Sequence, residues 1–344
     1  MNSDLLKNLR WFGDSDEIFR EHTMPIVTGN GTIRGRLRFK PLEILCVQDC
    51  TLQTTYIEGK DFYVEDRDIV FYKQNEEHPY IAEEALYGKN MPEEIAEDGK
   101  IYGLKCLYSD KPFLTLRQVA VTYRFDVNEW DFDAPKYDKN KIGRFLKKLR
   151  NNESSSIILY GDSISAGGNS SKSLKLSPYL PPWYEMMVEK LEYDFNTKIN
   201  FINISEAGQN ATWAIDHIDR MGDKYADLLI IAFGMNDASM RLDIEEYVKN
   251  IKRIMDAQKN PECEFVLIGT IIPNKDSGLY NMHREFAKIL YRLEDERTTV
   301  VDMGAIQEYF LENKIYADMS GNNVNHPNDF LGRIYAMSML RLFE

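Results

Sequence analysis

Cysteine is scarce in this chain. Cys46, Cys50, Cys106 and Cys263 are the four among 344 residues, too few and too scattered for a disulfide framework, and Cys46-x-x-x-Cys50 has no second pair with which to hold zinc. Buried free thiols are the expectation. No run of ~20 apolar residues occurs, which excludes a membrane-spanning helix. The opening MNSDLLKNLRWFGDSDEIF lacks a basic segment followed by an apolar run, so no conventional export signal is read and a cytoplasmic location is expected, unless a leader has been removed. Positive charge is also in deficit. Lys plus Arg number 42 against 55 Asp plus Glu, a net −13, and such a surface repels phosphate backbones and anionic lipid, so neither nucleic acid nor a membrane is an expected partner. Internal repeats and low-complexity tracts are missing too. What remains is an ordinary globular composition, 43% hydrophobic and 28% charged, in a chain longer than one core usually spans.

The texture changes once along the chain. From about Gly29 to Val127, short segments rich in Thr, Val and aromatics (TIRGRLRF, LEILCV, TLQTTYI, DFYVE, DIVFYK, IYGLKCLY, LRQVAVTYRFDV) alternate at period two between turn residues, as an antiparallel sandwich requires. Residues 1–136 are therefore expected to form an all-β sandwich domain. Residues 137–155 read as a linker entering a short amphipathic helix, KIGRFLKKLRNN. From 156 to 344, apolar runs alternate with segments of helical period, the mark of a parallel sheet covered by helices. The strands are IILY (157–160), INFINI (199–204), DLLIIAF (227–233), EFVLIGTI (264–271) and TVVDM (299–303). Helices are expected in PPWYEMMVEKLEYDF, DIEEYVKNIKRIMDAQ, MHREFAKILYRLEDE and PNDFLGRIYAMSMLRLF. Five strands and these helices predict a three-layer α/β/α domain of flavodoxin-like type, with its ligands beyond the carboxyl ends of the strands.

Those strand ends carry the chemistry. The first runs into Gly161-Asp162-Ser163, a serine on a tight turn among small residues, which alone is as well read as an ordinary turn. The second runs into Gly208, whose backbone N–H can approach a ligand closely. The third runs into Gly234-Met235-Asn236-Asp237, where Asn236 offers an amide donor, although Asn-Asp alone is more often a cap. Of five histidines, His22 and His78 belong to the N-terminal part, and His217 and His283 fall in segments read as helices. His326 stands apart in Asn323-Val324-Asn325-His326-Pro327-Asn328, a loop before the last helix from which an imidazole can reach a neighbouring strand end.

In this order the four blocks resemble the SGNH (GDSL-type) hydrolase family over about residues 156–344. The resemblance implies an acyl-ester hydrolase with Ser163 as nucleophile, His326 as general base, and an oxyanion hole made by the Ser163 and Gly208 N–H groups and the Asn236 side chain. The Asn-His-Pro-Asn block and the N-terminal sandwich, expected to be jelly-roll-like, look most like bacterial members that remove acetyl groups from carbohydrates. It also implies no metal or cofactor, and a small acylated sugar or oligosaccharide as partner. One position departs: the family usually has Asp three residues before the histidine, where this chain has Asn323. That leaves open a Ser163–His326 dyad whose ring is oriented by a backbone carbonyl, a substitute carboxylate such as Asp318, or a weak catalyst. The dyad is the preferred expectation, because some sugar deacetylases of this build are thought to lack the acid. Asn169, Tyr179 and Trp183, in the loop after the nucleophile, are candidates to bind the sugar. Two other readings share the motif: a carbohydrate-binding protein with a decayed site, and a lysophospholipase- or thioesterase-like enzyme with an apolar acyl channel. Nothing in the sequence specifies an oligomeric state.

Overall fold

The computed structural model describes residues 3–73, 79–91, 95, 103–133 and 135–344. In chain order its strands are β1 Glu17–Thr23, β2 Ile26–Val27, β3 Ile33–Arg36, β4 Pro41–Asp49, β5 Thr55–Tyr56, β6 Phe62–Glu65, β7 Asp68–Phe71, β8 Ile81–Ala82 and β9 Val119–Phe125, then β10 Ser155–Gly161, β11 Ile199–Asn203, β12 Leu228–Ala232, β13 Glu264–Gly269 and β14 Thr298–Asp302. The first nine make two sheets, ordered β1-β9-β4-β5 and β6-β7-β3-β2-β8, antiparallel except where β2 meets β8. Period two explains their packing. Val119, Val121, Tyr123 and Phe125 of β9 all turn inward and are buried, and Tyr56 of one sheet meets Phe71 of the other edge-on at 5.5 Å. The result is the expected β-sandwich.

The last five strands are parallel, in the order β11-β10-β12-β13-β14. This is the doubly wound flavodoxin-like order. Successive residues of each strand enter opposite cores. Ile157, Leu159, Leu228 and Ile230 face the helices Trp183–Phe195, Met303–Leu311 and Asp329–Leu340. Ile158, Tyr160, Leu229 and Ile231 face those at Ala211–Asp216, Ile244–Asp256 and His283–Ile289. With both faces covered, the middle residues of the central strands are apolar on both sides, which is why these segments read as runs and not as alternation.

The structure departs from the sequence reading at several elements, among them the following. β1 lies ahead of the first strand expected. It was hidden because Glu21, His22 and Thr23 are polar yet buried, their partners coming from distant parts of the chain. IYGLKCLY is not a strand over its described residues, 103–108; Cys106 and Tyr108 pack under Val324 instead. TLQTTYI pairs only at Thr55–Tyr56, because the Asp49 carboxylate accepts the N–H groups of Gln53 and Thr54 and bends the chain into a turn. Finally, the helix Met303–Leu311 follows β14 with no intervening loop, Asp302 capping it through the Ala305 N–H.

The sandwich is not a detached module. Phe12 meets Phe310 and Phe330 at 5.8 Å each, so its core is continuous with one face of the parallel sheet. It also grips residues 314–328. Gln118 Nε2 donates to the carbonyls of Ala317 (2.6 Å) and Ser320 (2.8 Å), Asn328 Nδ2 donates to Gln118 Oε1, and the Asp318 carboxylate accepts the Met24 N–H. That segment carries His326.

Candidate active site

The strand order sets β11 and β12 on either side of β10, so the loops after all three emerge together. Asn203 Nδ2 donates to the Ser165 carbonyl, tying the loop after β11 to the one bearing Ser163. The Ser163 loop is wound tightly by Ala166 N–H to Asp162 O and Gly168 N–H to Ser163 O, both 2.9 Å. Ser163 is 7% exposed, and its Oγ lies 2.8 Å from His326 Nε2. On the other side of the ring, Nδ1 is 2.6 Å from Asn169 Oδ1. Asn169 Nδ2 faces the carbonyls of Asp110 and Gly321, each at 3.4 Å, so the amide oxygen is the atom turned to the ring. It accepts Nδ1–H, which leaves the Nε2 lone pair for the serine hydroxyl. Asn169 holds a left-handed backbone, φ 60°, which asparagine tolerates better than most residues. Gly168 is needed beside it, since a Cβ there would lie 3.0 Å from the ring's Cε1 and Nδ1.

Residues 159–330 match the GDSL-like Lipase/Acylhydrolase family, half of the chain. The chain belongs to that family. Solved structures similar to this GDSL-like chain include a two-domain esterase active on acetylated mannans, 18% identical, aligned over 61% of this chain and 54% of its own, TM-score 0.48. Others are a variant of an acetyl-xylooligosaccharide esterase from Geobacillus stearothermophilus (16%; 56% of this chain and 96% of that one; TM-score 0.46) and a lipolytic G-D-S-L family member from Veillonella parvula (21%; 55% and 98%; 0.45). The chain thus spans about half the length of the two-domain esterase. A search of the curated proteins gives no match.

Several expected site residues of the GDSL-like chain sit elsewhere. Asn323 does not face the imidazole: its Nδ2 donates to the Leu107 carbonyl and its Oδ1 accepts from Asn274, so it secures the loop. Asp318 is committed to Thr23, Met24 and Ile315 and lies beside Lys314. Nor is a backbone carbonyl the partner of Nδ1, which meets the Asn169 side chain. Asn169, expected to touch sugar, is turned to the histidine. Trp183 is 2% exposed, donates to the Ile164 carbonyl and packs on Tyr335, so it belongs to the core. Tyr179 is 59% exposed. Pro327 precedes the helix it was expected to open, since Asn328 caps it through the Leu331 N–H. The residue that sequence reasoning missed is Asp110. Its Oδ1 lies 3.5 Å from His326 Nδ1 and accepts from Asn322 Nδ2 at 3.0 Å.

Gly208 (φ 76°) is exposed at the end of β11. Asn236, after β12, donates to the Gln209 carbonyl at 2.7 Å, which ties these two loops together. The remaining histidines are occupied away from this edge. His22 is buried against Gln118 and Cys50, His217 stacks on Trp213 at 4.3 Å, and His283 bonds Ser239 and Met235; His78 lies outside the described residues.

Burial dominates the electrostatics. It lowers the His326 pKa below the ordinary 6.5, with the Asp110 carboxylate pulling the other way. Under the nucleophile, Asp162 is pushed up to about 7, first by burial, with Asp237 adding to the rise and the Ile164 N–H opposing it. A carboxyl whose folded pKa exceeds its unfolded 3.8 gives stability that is fully present below that value and lost as pH rises through about 7. Asp162→Asn keeps an acceptor for the Ile164 N–H and removes the buried charge. It is expected to gain up to about 4 kcal/mol of stability at pH 8, since each tenfold change in proton affinity is worth about 1.4 kcal/mol, with the gain fading toward pH 4. Urea unfolding at both pH values reads this, and a difference independent of pH would disprove it.

Proposed function

We propose that this chain is a serine esterase that removes short acyl groups, acetyl above all, from carbohydrate hydroxyls. The 2.8 Å contact between Ser163 Oγ and His326 Nε2, with Nδ1 held from behind by Asn169, carries the reading. Ser163 Oγ attacks the ester carbonyl while His326 Nε2 takes its proton, then gives that proton to the departing sugar oxygen. Water, deprotonated by the same nitrogen, attacks the acyl-serine; the acyl–Oγ bond breaks, Nε2 returns the proton to Ser163 Oγ, and the carboxylic acid leaves. The oxyanion is assigned to the N–H groups of Ser163 and Gly208 and to the amide hydrogen of Asn236 that does not bond Gln209. Each such donor is worth ~10²–10³ in rate.

The polar character of the residues around the nucleophile supports a sugar. Asn236 and Asn325 are half-buried amides, and the exposed ring of Tyr179, after the nucleophile loop, offers a face on which a pyranose can stack. Release of acetate from acetylated oligosaccharides, together with p-nitrophenyl acetate and octanoate, tests the proposal, with Ser163→Ala as control. Acetyl esters are expected to exceed octanoyl in kcat/KM by ~10-fold or more. Preference for octanoate would mark a lipase-like enzyme, and glycan binding with no Ser163-dependent turnover would mark a binding protein.

A further inference from the structure

We propose that Asp110, which reaches the site from the N-terminal half of the chain, supplies the negative charge that the family usually takes from the residue three positions before the histidine. The inference rests on the esterase reading above. Two residues divide a task that one carboxylate performs elsewhere. Asn169 Oδ1, at 2.6 Å, accepts Nδ1–H and fixes the tautomer, but an amide is neutral and does little for the imidazolium that forms when Ser163 gives up its proton. The Asp110 carboxylate lies 3.5 Å from the same nitrogen, close enough for an opposite charge to favour the protonated ring.

The surroundings look built for this. Asp110 is held by the Tyr108 hydroxyl and by Asn322 Nδ2. Asn322 Oδ1 in turn accepts the His326 N–H at 3.0 Å, so the residue that places the histidine backbone also places the acid. The Asp110 carbonyl accepts from Asn169 Nδ2, which keeps the amide oxygen toward the ring. Among the described residues, the other groups bonded to His326, Ser163 and Asn169 on the ring and Asn322 on its N–H, are uncharged, as is Gly168 beside the ring. On the following helix, Asp329 is turned to the Ser171 N–H and Arg333 to the carbonyls of Phe19 and Arg20. Asp110 is therefore a positioning residue acting through His326, and it makes the N-terminal half part of the catalytic machinery.

Asp110→Asn tests this, because it preserves size and the acceptor for Asn322 while deleting the charge. With p-nitrophenyl acetate, kcat is expected to fall about 10–100-fold with KM little changed. This is less than the ~10⁴ lost when the replaced acid also fixes the tautomer, a duty that stays with Asn169. The lower limb of the pH profile should move down by about one pH unit, and Asp110→Glu should restore much of both. An NMR titration of His326, assigned by its loss in His326→Ala, reads the same displacement without turnover. An unmoved His326 titration or an unchanged kcat in Asp110→Asn overturns the proposal. So does a loss of activity traced by circular dichroism to unfolding, with the titration unmoved in the folded fraction. If Ser163→Ala hydrolyses as fast as the parent, the esterase reading is what has failed.

Discussion

Replacing His326 by alanine is expected to lower kcat for a short acyl ester by on the order of 10⁵–10⁶, and the double variant with Ser163→Ala should be no slower than either single one. A serine hydroxyl is a poor nucleophile until its proton has somewhere to go, and Nε2 at 2.8 Å is the acceptor that the fold provides. Once the base is gone, the hydroxyl contributes little, and once the hydroxyl is gone, the base has nothing to activate. The two losses therefore coincide and do not add. What survives is catalysis by the N–H donors at the strand ends. The pH profile follows from the same geometry. Burial lowers the ring's pKa, so the neutral, competent form persists to lower pH than for a free imidazole, and the acid limb of kcat/KM should fall below pH 6.5. Steady-state kinetics of the three variants and the parent check both statements. A His326→Ala protein keeping more than about a hundredth of the activity, or a double variant far slower than the singles, would mean that the two residues do not act as one unit.

The parallel-sheet half could be read from the chain because its strands are buried on both faces and end in short polar blocks. Ile157 to Tyr160 and Leu228 to Ile231 form apolar runs with turn residues behind them, and the parallel order places those turns side by side. The serine was read at one of these strand ends, and the histidine from its loop before the last helix. The ring's partners were not. Asp110 sits in Ser109-Asp110-Lys111-Pro112, which reads as a turn, and Asn169 follows two glycines, which also reads as a turn. Only the fold brings both to Nδ1. The one available signal was a deficiency, the missing acid before His326, which shows that a substitute is needed without showing where. β1 escaped for a related reason. Three of its four buried residues are polar, and their partners Gln118, Lys314 and Asp318 stand far along the chain, so periodicity of apolar residues could not reveal it.

Lys314→Met is expected to destabilise the protein by about 3–5 kcal/mol, the cost of stranding a buried charge. The side chains of Lys314 and Glu21 are 0% and 1% exposed and 2.6 Å apart. Glu21 accepts further bonds from the Arg38 N–H and the Tyr123 hydroxyl, and Lys314 also donates to the Arg36 carbonyl and lies 3.6 Å from Asp318. Remove the lysine, and Glu21 and Asp318 face each other in a dry junction between the sandwich and the His326 loop. Lys314 now draws the Asp318 carboxyl down against the effect of burial; without it, that carboxyl should be pushed up further. Groups with raised folded pKa values lose their stabilising contribution as pH rises, so the defect should be deeper at pH 8 than at pH 5. Glu21→Gln in the same background should recover part of the loss, since the methionine then lies opposite a neutral amide. Urea unfolding at the two pH values, followed by both circular dichroism and hydrolysis, separates the effects. The His326 loop is tethered by this cluster, so activity should disappear no later than the secondary structure. A loss under about 1 kcal/mol, or one equal at both pH values, would show that water reaches the pair and that the junction is held by its aromatic contacts alone.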